Sequence, residues 1–398
     1  MTRVSAPVNG RAVRLLAGVG QPPSREGHTA TFGPLPRADG LIEAVEAAGL
    51  RGRGGAAFPT AAKLTVVAAA RNHPVLVINA AEGEPASKKD RSLLRVAPHL
   101  VLDGAALAAS ATGADEIVIG LSARIAELEA AVTERGRSSR PARIRTELIP
   151  AGYVAGEETA LLRALAGKPG KPTSKPPYPF EHGLRGRPTL VLNAETLAHV
   201  ALIARVGADA YAGGTALVTL GGAVARPGVH EIPLGITLAE AVRSCGGFSA
   251  EIAGILLGGY FGRWIAPSEA EALPLSADVV GAGVILALPA STCAAAEVAR
   301  VAGYLASQSA GQCGPCVHGL AAIADQLDLT TRGDRRAEIG RLAGLVTGRG
   351  ACRHPDGVAR FVESALEVFA AEFARHARHR RCGRRDEQIL PVPGRRSR

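Results

Sequence analysis

Three short, almost uninterrupted apolar runs leave few folds open to the first half of this chain. They are His73-Pro-Val-Leu-Val-Ile-Asn79, Glu116-Ile-Val-Ile-Gly120 and Thr189-Leu-Val-Leu-Asn193. A run of this length that is apolar on both faces and bounded by turn residues reads as a strand buried on both sides. Ile144–Ile149 reads as a further strand, and residues 92–112 and Ser122–Arg135 carry helical periodicity between them. Strand–helix alternation implies an open parallel sheet, whose ligands bind beyond the carboxyl ends of the strands. Asn79–Arg91 and Pro150–Glu158 leave from such ends, so both are expected to border one site.

A second feature stands just before the first strand. Gly49-Leu-Arg-Gly-Arg-Gly-Gly-Ala-Ala-Phe-Pro-Thr-Ala-Ala-Lys63 packs four glycines, two arginines and a lysine into fifteen residues after the short helix expected over Leu41–Leu50. Glycines let backbone amides approach a ligand closely, and a lysine opening the next helix can neutralise phosphate. The spacing fits neither the dinucleotide fingerprint nor the P-loop. Alone it is equally a turn.

Length and composition bound the rest. A chain of 398 residues exceeds one simple core, and 47% hydrophobic with 21% charged residues describes a globular protein. No stretch of about twenty apolar residues suits a membrane span, and Met1–Pro7 lacks a signal-peptide core, so a cytoplasmic protein is expected. The formal charge of +10 is concentrated at one end. Residues 375–398 hold nine Arg against Asp386 and Glu387, a net of +7, which leaves +3 for all the rest. Such an end reads as a solvated tail, with an acidic partner or the inner face of an anionic membrane as the functional alternative. With 4% aromatics and no base-stacking platform, sequence-specific nucleic-acid binding is not expected.

Composition divides the chain further. Residues 1–40 are Pro/Gly-rich and read as an irregular extension, and 41–210 as the α/β domain. Strands at Ala216–Leu220, Gly228–Ile232, Gly254–Leu257 and Val284–Leu288, with a helix over Leu238–Cys245, suggest a small β-grasp domain at 211–290. Residues 291–380 are helical throughout, broken at Gly311–Pro315, Thr330–Asp334 and Gly348–Gly357, as in a helical bundle. Residues 381–398 form the basic tail.

Six cysteines do not make a disulfide framework in so long a chain. Cys313-Gly-Pro-Cys316, with Cys352 in a later interhelical break, has metal or iron–sulfur spacing. The same motif also occurs as a redox dithiol, although that use needs a preceding strand where a helix is expected here. Zinc is a third reading, with His318 or His354 completing a Cys₃His set. Cys245 and Cys293 read as buried, unligated thiols, and Cys382 has no evident partner.

Taken in order, these motifs resemble the NADH-oxidising flavoprotein subunit of respiratory complex I and its relatives among soluble hydrogenases and formate dehydrogenases. Gly49–Lys63 is similar to that family's GLRGRGGAGFPTGxK loop, and Asn79–Arg91 to its NADEGEPGxxKDR segment. Tyr153–Leu162 resembles YxxGEETALL, Gly183–Thr196 resembles GLxGxPTxVNNVET, and Ala310–Cys316 with Cys352 resembles the cluster-binding CGxCxxC…C set. The resemblance implies a Rossmann-like FMN/NADH-binding α/β domain, an SLBB-like β-grasp domain and a helical domain carrying an iron–sulfur site. It assigns Gly52, Gly54, Gly55 and Lys63 to the FMN phosphate and ribityl chain, with Arg53 in the same loop. Asn79, Glu82, Gly156, Glu157, Asn193 and Thr196 would line the flavin. Phe58, Glu84, Tyr153, Glu158, Lys175 and Tyr178 would face NADH. Cys313, Cys316 and Cys352 would hold a 4Fe–4S or 3Fe–4S cluster. Hydride would pass from NADH to FMN and single electrons onward to a ferredoxin-like or other iron–sulfur partner, within a larger redox complex. The alternative is a degenerate relative that transfers electrons or acts as a scaffold without turning over NADH.

The chain departs from the family pattern at several positions. Ala310 stands in place of the first cluster cysteine, leaving His318, Ser309 or water as candidate fourth ligand. Ala81 replaces an Asp and Leu192 the first Asn of a pair, each expected to remove a hydrogen bond near the flavin. Ala57 for Gly, and Leu64 where Trp is common, are smaller changes.

Overall fold

The computed structural model describes residues 14–70, 72–136, 142–328, 333–379 and 382–393. The three apolar runs form β1 (Val75–Ala80), β2 (Glu116–Leu121) and β4 (Thr189–Asn193), and the further strand expected over Ile144–Ile149 is β3 (Arg143–Leu148), which lies at the sheet edge and is only half-buried. All pair in parallel, in the order β3-β2-β1-β4. β1 is central and apolar on both faces, with Val75, Leu76, Val77 and Ile78 buried. The strand order reverses between β1 and β4, the crevice where open α/β sheets bind ligands.

Helices cover both faces of this sheet. The stretch read as one helix over residues 92–112 is two, Lys89–Val96 and Pro98–Thr112, because Pro98 cannot continue the first. Pro98–Thr112 packs on Ala194–Tyr211 with almost no gap. A Cβ on Gly104 would stand 1.8 Å from the Leu197 carbonyl oxygen.

The second sheet has the order β6-β5-β9-β7-β8, from β5 (Thr215–Gly222), β6 (Gly228–Pro233), β7 (Ile252–Leu257), β8 (Arg263–Ile265) and β9 (Val284–Pro289). β5 and β9 are parallel and the other pairs antiparallel. The three-residue β8 is too short for its alternation to be read from sequence. Helices from Ala294 to His379 then pack around Val298, Leu305, Ile323, Phe361 and Phe369.

Two terminal stretches differ from expectation. Residues 14–40 are not simply irregular: Arg25–Phe32 is a helix, and Leu15 and Leu16 are buried in the first core. Their amides donate to the Glu231 carboxylate at 3.1 and 3.0 Å, while His28 meets buried Asp103 at 2.8 Å. The basic end is not a free tail over residues 382–393: its backbone is bonded to the helical domain while half of its residues stay exposed. The Arg385 carbonyl accepts from Cys293 N–H at 2.8 Å, and the Glu297 carboxylate takes the amides of Ile389 and Leu390. The expected break over Gly348–Gly357 ends early, since the helix His354–Val368 begins with Pro at its first turn. The break expected at 330–334 falls largely outside the described residues.

Gly104→Ala should destabilise the protein by about 3 kcal/mol or more, because the added methyl overlaps backbone that cannot move aside. Denaturant unfolding checks this; an unchanged midpoint would show that the two helices can separate freely.

Candidate functional site

At the crevice, the predicted residues fall into an outward-facing rim and a buried frame. Lys63 rises from the helix Thr60–Ala68, its Nζ 3.2 Å from Glu158 Oε2 and 5.8 Å above the Phe58 ring centroid. Lys175 Nζ meets the other Glu158 oxygen at 2.5 Å and Glu157 Oε1 at 3.3 Å. Burial would push the Glu158 carboxyl upward, but the two ammoniums outweigh it and hold it below its ordinary value. Burial would lower Lys175, and the two carboxylates reverse that. Glu158 thus sits between two ammoniums, and Lys175 is shared with Glu157 behind it. Phe58 and Tyr178, 51% and 43% exposed, offer aromatic faces beside it, with Tyr178 stacked on Phe180 at 5.1 Å.

The frame residues have their polar groups engaged with the protein itself. Glu82 was expected at the flavin; its carboxylate instead accepts from the amides of Asp90 and Arg91 and from the Ser87 hydroxyl, closing the open end of the helix Lys89–Val96. Glu157 caps the helix Glu158–Leu165 through Thr159 N and Ala160 N at 2.8 and 3.0 Å. Asn193 caps Ala194–Tyr211 through Glu195 N at 3.0 Å, and its amide donates to Asp90 at 2.6 Å. Thr196 is buried and accepts from Arg53 N at 2.8 Å. The Arg53 guanidinium is buried and its Nη2 donates to the Thr215 carbonyl at 3.0 Å. Glu84 was expected at NADH; it is buried and accepts from Tyr260 N at 2.7 Å, Tyr153 OH at 2.8 Å and Ala86 N at 3.1 Å. Desolvation lifts its pKa, and Tyr153, also buried, remains a protonated donor to it. Glu84 thus joins the α/β domain to the β-grasp domain.

Arg51 and Pro59 pair across the glycine loop, and Gly52 N donates to Phe58 O at 2.9 Å. Asn79 Nδ2 donates to Gly156 O at 2.8 Å. A Cβ built on Gly156 would occupy the gap between Gly83 N and the Ala81 methyl, 3.8 and 3.9 Å away, so glycine keeps that gap open. Ala57 in the glycine loop and Glu82 after β1 hold φ of 46° and 42°, a left-handed conformation that side chains disfavour and that concentrates at ligand sites. At Ala57 the family pattern places glycine, the residue that adopts this φ without penalty.

Sequence reading passed over Lys89, Asp90 and Glu195. Lys89 Nζ is buried 2.8 Å from both Asp90 Oδ1 and Glu195 Oε2, and 3.2 Å from Asn193 Oδ1. Burial pushes the Glu195 carboxyl up, but Lys89, His199 and Arg53 outweigh it and hold it at about 2. Glu195 Oε1 also accepts from Leu217 N at 2.8 Å. The Lys-Asp-Arg and Asn-x-Glu-Thr stretches carry these residues, but only their meeting across about 100 residues shows that they form one network.

The three predicted metal-binding cysteines converge. The Cys313 thiol would be raised by burial, but backbone N–H groups of Ala351 and Cys316 and the Cys316 side chain hold it below its ordinary value. Burial, with Cys313 and Cys352 beside it, pushes Cys316 up to about 12, while the Ser309 side chain hydrogen-bonds it. Cys352 is raised by burial and by the charges of Glu157 and Cys313. His318 is exposed. The turn before Cys313 is bonded to the crevice: Gln308 Oε1 accepts from Tyr153 N at 3.1 Å and Gln312 Nε2 donates to Pro172 O at 2.9 Å. A cleft of about 430 Å³ runs along this seam, lined among others by Gly152, Tyr153, Lys171, Ser309 and Ala310.

Comparison with known proteins matches this architecture part by part. Residues 45–202 match the family model described as the Nuo51 FMN-binding domain, 217–254 the SLBB domain, and 296–376 the NADH-ubiquinone oxidoreductase-F iron–sulfur binding region. The chain is 32% identical to the F 2 subunit of NADH-quinone oxidoreductase from Rhizobium meliloti, over 86% of this chain and 90% of that protein. It is 34% identical to the F subunit of NADH-quinone oxidoreductase from Mycobacterium tuberculosis, over 85% and 84%. Among solved structures, a chain of an NAD+-reducing NiFe-hydrogenase in the air-oxidized state superposes with a TM-score of 0.85 at 30% identity, covering 95% of this chain and 68% of that one.

Lys89→Met should cost about 3–5 kcal/mol, because it strands two buried carboxylates rather than exchanging a whole ion pair for apolar packing. Chemical unfolding of the apoprotein measures this directly. A loss below ~1 kcal/mol would mean that the network is not what holds the crevice.

Proposed function

The chain belongs to the family of NADH-quinone oxidoreductase F subunits, and from that premise we propose that its crevice binds FMN and NADH and delivers electrons to a cluster on Cys313, Cys316 and Cys352. When bound, FMN accepts hydride from NADH and releases electrons singly, and the cluster relays them. No side-chain acid or base is required, so the protein contributes position, charge and exclusion of water. The observation that carries this reading is the seam between the two halves of the site: the charge of Glu157 acts on Cys352, and the Cys313 turn is hydrogen-bonded to Tyr153 and Pro172.

The residues fit these groups. The gap over Gly156 lies at the strand ends, and Lys63 supplies the ammonium suited to a phosphate. Glu158 and Lys175 offer a carboxylate and a cation to ribose hydroxyls and pyrophosphate, with Phe58 and Tyr178 as flanking rings. Glu82, Glu84, Glu157, Asn193, Thr196 and Arg53 act behind them as positioning residues. The three thiols suit an iron–sulfur cluster, and Ser309 is the fourth ligand favoured by its bond to Cys316. The electron acceptor we propose is an iron–sulfur protein within a larger redox assembly, in keeping with relatives named as subunits.

Anaerobic reconstitution with FMN, iron and sulfide, followed by NADH titration, tests the reading. Stoichiometric flavin bleaching is expected, and Glu158→Gln should raise the NADH concentration needed by about tenfold, equivalent to about 1.4 kcal/mol. Tight FMN binding without bleaching would instead favour an electron-transfer or scaffold role. Ser309→Ala should lower cluster iron from four toward three per chain, read by iron analysis and EPR. Unchanged four-iron content would exclude the hydroxyl as ligand.

A further inference from the structure

A second group of soft ligands lies apart from the three cluster cysteines, and the flavin and cluster chemistry does not use it. Cys293 caps the helix Ala294–Ser307, and its Sγ lies 3.2 Å from His376 Nε2. Glu372 and His376 stand four residues apart on the helix Ala370–His379, the spacing that places two side chains on one helix face. Cys382 follows in the docked C-terminal segment. One ligand atom from each of these four residues lies within 4.8 Å of the other three. All four residues are buried, and both cysteines are free thiols.

We propose that Cys293, Glu372, His376 and Cys382 bind a single zinc-type divalent ion, which fastens the C-terminal segment to the helical domain. Thiolate and imidazole ligands about 2.3 and 2.1 Å from zinc sit roughly 3.5 Å apart on a tetrahedron, and the group brackets that spacing, with Cys293 and His376 3.2 Å apart and the remaining ligand atoms within 4.8 Å. Two thiolates and an imidazole select zinc over magnesium or calcium. An iron–sulfur cluster would spread its ligands wider than this group allows. Two thiolates neutralise the dication, and the Glu372 carboxylate is balanced by Arg384 at 2.6 Å. The supporting bonds are already in place: Ala296 N–H donates to Cys293 Sγ at 3.4 Å, and Ala295 N–H to Glu372 Oε1 at 3.1 Å.

The segment so fastened has a defined course. Arg385 pairs its backbone with Ser291 and Cys293, and the Pro391 carbonyl accepts from Tyr260 OH at 2.7 Å. Tyr260 in turn donates its amide to Glu84. The ion would therefore hold a segment that buttresses the junction behind the crevice, a structural role without redox chemistry.

Metal analysis of the full-length protein, with iron counted separately, tests this. The expected result is one zinc per chain, retained in Cys313→Ser and lost in Cys382→Ser and His376→Ala. Cobalt-loaded wild-type protein should show the intense visible bands of a tetrahedral thiolate site, which keeps the test decisive if a variant fails to fold. Limited proteolysis should release the C-terminal segment faster in Cys382→Ser. Three results would overturn the proposal: no zinc or cobalt bound by wild type after loading, zinc lost in Cys313→Ser but kept in Cys382→Ser, or a Cys293–Cys382 disulfide found by mass spectrometry. The outcome is separable from the flavin reading, because NADH bleaching plays no part in it.

Discussion

The buried Lys89 ammonium is the point on which the crevice depends. Removing a charge from water costs several kcal/mol, and only a closely bonded set of partners makes that tolerable. Here Asp90, Glu195 and Asn193 form the set, the first from the helix Lys89–Val96 and the other two from the helix start that follows β4. Asp90 opens one helix, while Asn193 and Glu195 open another. Glu195 then reaches Leu217 in the second sheet. One cation thus fixes two helix starts, two strand ends and a domain junction. The floor of the site is set before any ligand arrives.

This explains why so many motif residues face inward. A crevice built from loops needs their carbonyls, amides and helix ends satisfied, and the short polar side chains of the motifs do that work. Glu82, Glu157 and Asn193 each close a helix N-terminus, while Glu84 and Arg53 cross to the second domain. Of the side chains expected to meet ligands, those not tied into this frame are Lys63, Glu158, Lys175 and two exposed rings. A few ligand-facing groups held by a larger buried frame is the arrangement expected where orientation, not acid–base chemistry, is what the protein supplies.

The parts legible in the sequence were those fixed by local pattern. Buried strands announce themselves as apolar runs, so β1, β2 and β4 and their parallel setting followed, and with them the place of the crevice, whereas the order β3-β2-β1-β4 did not. Spacing likewise brought Cys313, Cys316 and Cys352 together. What could not be read depends on contacts far apart in sequence. Whether Glu82 faces a ligand or a helix end is decided by Asp90 and Arg91 folding back onto it. The basic end looked like a solvated tail because its charge is all that composition records. Its docking rests on Glu297 and Tyr260, about 90 and 130 residues away. Cys382 looked isolated for the same reason, since its neighbours arrive from two other elements.

The departures from the family pattern take a different meaning once their surroundings are known. Losing one partner of a buried hydrogen bond is costly, whereas replacing polar groups with apolar ones in an apolar setting is nearly neutral. Ala81 lies in a cluster with Val77, Leu161, Leu162 and Leu184, and Leu192 lies in the first core together with Leu64. Both positions are packed against hydrocarbon here. Leu64 stands where Trp is common, so two of the departures fall within one cluster, as expected when neighbouring side chains adjust their volumes together. The polar contacts that remain, Asn79 to Gly156 and Ala81 N to Asn79, come from the backbone or from residues the motif retains. Ala310 differs in kind. It borders the cleft beside Ser309, whose side chain acts on the Cys316 thiol, so what the missing cysteine leaves beside Cys316 is a hydroxyl and not a hydrocarbon surface.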